Sequence, residues 1–123
     1  MLRWLLGSVA ALLPGRPAGK PAVRRSSRWP ATRKVHLLLE PSCQACGARE
    51  RLEVHHVIPV HVAQVLGRPE LELDPRNLIT LCEGAVVNCH LLFGHLRLWQ
   101  SWNHQVREDV ETWLRKIRSR PTA

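Results

Sequence analysis

Four cysteines constrain this chain more than any other feature. Cys43 and Cys46 are two residues apart and followed by Gly47, whereas six residues separate Cys82 from Cys89 further along. Two thiolates at the first spacing, in a tight turn whose N–H groups lie near the sulfurs, can bind one tetrahedral ion. By spacing alone the four could make two disulfides in a secreted chain, one zinc site of four thiolates, or a redox pair. The redox reading needs a βαβ setting that this sequence lacks. A structural Zn2+ fits best, stapling two strand ends in a body of 123 residues, too small to be very stable alone. Leu, Ile, Val and Phe make up 35 of those residues. That suffices for one small core and excludes a multidomain enzyme.

The choice between disulfides and zinc depends on compartment, so the N-terminus bears on it. Arg3 and the apolar run Trp4 to Leu13 have the outline of a signal peptide. The following PGRPAGKP is a poor cleavage site and leads into more positive charge, and the run is far short of the roughly 20 apolar residues of a membrane span. The expectation is a short amphipathic segment in a cytoplasmic protein with no transmembrane span, a membrane-surface anchor being the alternative.

Charge is segregated. Of a net +8, residues 14 to 34 supply seven positive charges and no acid, through Arg16, Lys20, Arg24, Arg25, Arg28, Arg33 and Lys34. From residue 35 onward ten basic and ten acidic side chains cancel. A basic arm on a neutral body gains affinity for a polyanion by releasing phosphate counterions; a solvated linker is the plainer alternative. The chain thus divides into an apolar segment and basic, poorly ordered arm over 1–28 and a folded domain over 29–123.

Within the domain, the pattern predicts a helix from Trp29 to Glu40 stopped by Pro41, with Trp29, Val35 or His36, and Leu39 on one face. Leu52 to Pro59 and Asn77 to Cys82 read as two short strands, joined by a loop with one helical turn through Gly67, Pro69 and Asp74-Pro75. From Asn88, a candidate cap, Leu91, Leu92, Leu96 and Trp99 recur at helical spacing. Val106, Val110, Trp113, Leu114 and Ile117 predict a last amphipathic helix, whose early acids and late bases suit its dipole. Trp99, Trp102 and Trp113 are expected in the core, and Trp29 is expected to pack the first helix against it.

His55 and His56 sit in an apolar strand context where two adjacent imidazoles are hard to explain structurally. Neighbouring strand residues point to opposite faces, so one can bind a metal while the other acts as a base. Cys89-His90 repeats that logic: with Cys89 towards zinc, His90 faces a second site. His36, His61 and His104 have no partner pattern, although His61 lies two residues beyond Pro59.

The run Cys43-x-x-Cys46-Gly47, Leu52-Glu-Val-His55-His56-Val-Ile-Pro59, Asn77-Leu-Ile-Thr-Leu-Cys82 and Cys89-His90 resembles the HNH endonuclease family of zinc-knuckle, phage-like type. The resemblance covers residues 43 to about 96. It implies an α+β fold: a small ββα-metal core with a zinc knuckle of four cysteines (Cys43, Cys46, Cys82, Cys89), flanked by an N-terminal helix and C-terminal helices. It implies His55 and His90 as ligands of one catalytic divalent cation, His56 as general base, and Asn77 as the residue that orients His56 by bonding backbone. His95 would be a third ligand. Five residues at about 100° each place it some 140° round an α-helix from His90, so a local distortion, for which Gly94 is available, must bring it back.

The implied function is metal-dependent hydrolysis of DNA phosphodiester bonds, leaving a 5′-phosphate and a 3′-hydroxyl. Mg2+, Mn2+, Ni2+ and Zn2+ all suit a histidine-rich site. The partner would be nucleic acid, double-stranded DNA, with Arg24, Arg25, Arg28, Arg33 and Lys34 adding nonspecific grip; oligomeric state is not readable. The rival is a non-catalytic zinc-stabilised nucleic-acid-binding module, which would have no physical need for His56 beside His55. A small thiol redox protein is a third reading, and it predicts reactive cysteines.

Overall fold

A computed structural model describes residues 23–121. The apolar run Trp4 to Leu13 and the first part of the basic arm lie outside the described residues. Helix α1 (Trp29–Leu39) carries Pro30 in its first turn, where no N–H is needed, and gives way at Glu40 just before Pro41. Its inward face is Trp29, Arg33, His36 and Glu40, with His36 buried. Of the residues expected on that face, Leu39 instead points outward and is 78% exposed, together with Val35 and Leu38. The spacing was compatible with either stripe, and polar contacts decided it: Glu40 accepts the Thr80 N–H at 2.9 Å and lies 3.3 Å from Arg107.

Strands β1 (Leu52–His56) and β2 (Leu78–Cys82) pair antiparallel, with Leu52 opposite Cys82, His55 opposite Ile79 and His56 opposite Leu78. Every residue of β2 is buried, which suits a β-branched and leucine-rich strand covered on both faces. Between the strands the chain makes helix α2 (Val60–Val65) and two short 3-10 turns, Pro69–Glu72 and Pro75–Asn77; in the second, the Asp74 carboxylate caps the Arg76 N–H at 2.9 Å.

The stretch after Asn88 corrects the sequence reading. Asn88 does cap, its side-chain oxygen accepting the Leu91 N–H at 2.9 Å, but only one π-helical turn follows, His90–Gly94. The chain then reverses through Leu96 and Arg97, both at positive φ (53° and 69°), a region costly for side-chain-bearing residues. Leu96 and Trp99 are consequently about half exposed instead of forming a helix face, at 54% and 49%. Helix α3 (Val106–Arg118) closes the domain, burying Val106 and Val110 as its periodicity implied. Trp113 is 45% exposed and leans on Phe93, and Trp102 is only half-buried, so none of the three tryptophans expected in the core is fully within it.

The core itself is small: Ile79, Leu81, Val106, Val110 and Ala45 close around Cys43, Cys82 and Cys89. Three of the four cysteines are therefore core residues, and their chemistry bears on the stability of the domain.

Candidate functional site

The knuckle turn is set by Gly47, at φ +80°, whose N–H reaches back to the Cys43 carbonyl at 2.8 Å. It brings the thiols of Cys43 and Cys46 to those of Cys82 and Cys89, all four sulfurs lying within 4.8 Å of one another and none in a disulfide. Sulfurs sharing one zinc at about 2.3 Å stand roughly 3.8 Å apart, and Cys46 and Cys82 are separated by 3.6 Å. Burial pushes the Cys82 thiol up, but N–H groups of Cys89 and Gly84 and the neighbouring thiols outweigh it and bring Cys82 down to about 7. The long Cys82-to-Cys89 loop therefore does return its second cysteine to the cluster. Four convergent sulfurs, those of Cys43, Cys82 and Cys89 on buried residues, are a donor set suited to zinc.

Each cysteine of the second pair is followed directly by a residue of another cluster. Glu83 follows Cys82 and His90 follows Cys89, and the Glu83 carboxylate accepts from Nδ1 of His90 at 2.7 Å. Nε2 of His90 then lies 3.1 Å from Nδ1 of His55 and 3.2 Å from Nε2 of His95. His95 arrives by the π-helical turn, in which its N–H bonds the His90 carbonyl five residues back at 3.1 Å. One extra residue per turn cancels the angular offset that separates the two histidines on an α-helix.

Two carbonyl or carboxylate acceptors fix the tautomers here. A carboxylate and a carbonyl can only accept, so His90 donates from Nδ1 to Glu83, and His95 from Nδ1 to the Ser101 carbonyl at 2.7 Å. With Nδ1 engaged, each ring turns its Nε2 to the same point. The two Nε2 atoms stand 3.2 Å apart, and imidazole nitrogens bound to one ion at about 2.0–2.1 Å stand at about this separation. His55 is 3% exposed; burial first, then His90 and His95, push it down to about 3. The donor set fits a divalent cation.

Gly94 makes the cluster sterically feasible. A Cβ there would stand 3.0 Å from Cε1 and Nδ1 of the buried His55 ring. Gly94→Ala is expected to weaken the binding of Mn2+ or Ni2+ to the histidines by about tenfold or more, read by titration calorimetry on the zinc-loaded protein; unchanged affinity would show that Gly94 does not set the ring.

His56 emerges on the other face of β1, as strand alternation requires, yet borders the same pocket of about 440 Å3 as His55, His61, His90 and His95. Its Nε2 lies 2.9 Å from the Glu72 carbonyl, and Trp29 packs against the ring at a tilt of 39°, 4.5 Å between centroids. Burial is the main cause that lowers its pKa, partly opposed by the Glu72 carbonyl. Asn77 is buried and fully bonded: its Oδ1 accepts the Ile58 N–H at 2.8 Å, and its Nδ2 donates to the carbonyls of Ile58 and Leu71, both at 3.0 Å. It locks the turn that leaves His56.

Of the five basic residues expected to grip nucleic acid, Arg24, Arg28 and Lys34 are exposed, while Arg25 pairs with Glu72 at 2.8 Å and Arg33 with Glu53 at 3.5 Å. Nothing in the sequence singled out Ser101 or Glu72, and Trp99 was expected in the core rather than beside the histidines. Trp99 lies against His90 and His95, at 5.3 and 4.9 Å between centroids. Only Glu83, an acid directly after a knuckle cysteine, carried a local signal. A second groove of about 470 Å3 runs along α1 past Ala31, Val35 and Leu39, and no clustered donors line it among the described residues.

Two antiparallel strands leading into a helical turn, with a thiol cluster on one side and an imidazole cluster on the other, define a small α+β protein with a ββα-metal core. Residues 43–93 match the family model described as HNH endonuclease. No curated protein and no solved structure matches the chain. No helix among the described residues is long and apolar enough to cross a membrane.

Proposed function

We propose that the protein is a metal-dependent endonuclease that hydrolyses DNA phosphodiester bonds, with a structural zinc on Cys43, Cys46, Cys82 and Cys89. The observation that carries this reading is the convergence of His55, His90 and His95 nitrogens within 3.1–3.2 Å of the central ring, in the pocket that His56 also borders. These three side chains would hold the catalytic cation, which when bound supplies charge stabilisation at the phosphate and the departing oxygen.

The remaining chemistry belongs to the chain. A carbonyl can only accept, so His56 donates from Nε2 to Glu72 and keeps its lone pair on Nδ1. Nδ1 takes a proton from water as the water oxygen bonds phosphorus and the bond to the 3′ oxygen breaks. The products are a 5′-phosphate and, once that oxygen is protonated, a 3′-hydroxyl. Asn77 holds the backbone beyond His56 so that the ring keeps its position. Arg24, Arg28 and Lys34 supply exposed positive charge for the DNA backbone. Unpaired thiols suit the reducing cytoplasm, where zinc rather than disulfide chemistry prevails.

The test is nicking of supercoiled plasmid by the full chain with Mg2+, Mn2+, Ni2+ or no divalent ion added. Nicking is expected with at least one ion and none without. Zinc-loaded protein that retains DNA but never cuts would favour the binding module over the enzyme.

A further inference from the structure

Glu72 is 4% exposed and lies 16 residues from His56, in a 3-10 turn of the loop between the strands. Its carboxylate receives two donors from the end of the basic segment: Nε of Arg25 at 2.8 Å and the Ser26 N–H at 2.9 Å. A buried carboxylate with a charged partner and a backbone donor is held firmly, and its loss of either leaves charge in a dry place. The same residue's main-chain oxygen accepts from His56. Arg25 also lies over the ring of Trp29, 5.2 Å from its centroid, and Trp29 in turn lies on the His56 ring. Two independent routes, one through Glu72 and one through Trp29, thus run from Arg25 to a single imidazole.

We propose that Arg25, Ser26 and Glu72 form a clip whose task is to position His56, holding the Glu72 carbonyl where it selects the Nε2–H tautomer and leaves Nδ1 towards the pocket. Arg25 is then a positioning residue and not primarily a phosphate contact, and the stretch just before α1 is part of the active site. The inference rests on the nuclease reading for its kinetic consequence and not for its structural one. A histidine released from the carbonyl samples both tautomers and turns about its side-chain torsions. A displacement on the order of 1 Å can cost a reacting group about a hundredfold.

Arg25→Ala and Glu72→Ala, made in the full chain, test this by two readouts. Imidazole 15N spectra, with His56 assigned through His56→Ala, are expected to show the Nε2–H tautomer in the parent and a tautomer mixture in both variants. Single-turnover nicking is expected to fall by roughly tenfold to a hundredfold in rate with little change in DNA affinity, and Arg25→Lys, which keeps the ion pair, should recover most of the loss. If Glu72→Ala fails to bind zinc or to fold, half-exposed Arg25 decides alone. An Nε2–H tautomer unchanged in Arg25→Ala overturns the proposal, as does a variant whose only defect is weaker DNA binding. Should the parent itself not cut with any ion, the nuclease reading fails while the tautomer spectra still judge the clip.

Discussion

His56→Ala is expected to lower metal-dependent nicking by about 10²–10⁴-fold, the usual contribution of a positioned general base, while zinc content, metal binding by the histidines and the far-ultraviolet circular dichroism stay as in the parent. The separation of effects follows from the fold. His56 stands on the opposite side of β1 from His55 and belongs to neither donor cluster, so its loss leaves both whole. The ring is itself only partly buried, between the half-buried Trp29 and the Glu72 carbonyl, which limits the structural cost of the truncation. Cleavage at the parental rate would remove His56 from the role of base. Loss of the second metal along with activity would instead place it among the ligands.

The second large effect is on folding. Cys43→Ala should prevent the domain from folding to its native state, and a zinc chelator should do the same to the parent. The reason is the position of the thiols: Cys43, Cys82 and Cys89 are each no more than 2% exposed and form the middle of the only large buried cluster among the described residues. Structural zinc contributes roughly 10–16 kcal/mol in small zinc-dependent folds, against about 5–15 kcal/mol of total stability for a domain. Without the ion, a core of this size falls below the cost of ordering its chain. Calorimetric melting and thiol counting check the point together: alkylation should be slow until chelation and then modify all four cysteines as the melting transition disappears. Four thiols reactive from the outset, with an unchanged transition, would make the site a set of ordinary core cysteines.

The sequence made the frame of the molecule legible because the frame rests on short-range signals. Cysteine spacing, β-branched runs and Pro41 placed α1, the knuckle and both strands to within a few residues, and the adjacent pair His55-His56 already implied two faces with two roles. The His90 region was misread for a physical reason. Leucines three to five apart satisfy an α-helix, but the backbone there makes one wide turn and then two positive-φ residues, Leu96 and Arg97, which no side-chain periodicity announces. The same deviation brings His95 to His90, which α-helical geometry would have kept apart. The acceptors that fix each imidazole were invisible for another reason. Glu72 and Ser101 act through main-chain carbonyls, which every residue possesses, and Glu72 reaches His56 only after the chain has folded back across the loop.

The dipeptides Cys82-Glu83 and Cys89-His90 have a consequence for how the protein comes to life after synthesis. On the proposed ligand sets, two metals are held by neighbouring links of the same chain, so the second cannot be loaded independently of the first. Zinc must close the thiol cluster before Glu83 and His90 stand where the imidazole cluster needs them. A cell short of zinc would therefore hold an inert chain and not a slow nuclease, and DNA would be exposed to the enzyme only after its scaffold had passed a test of completeness.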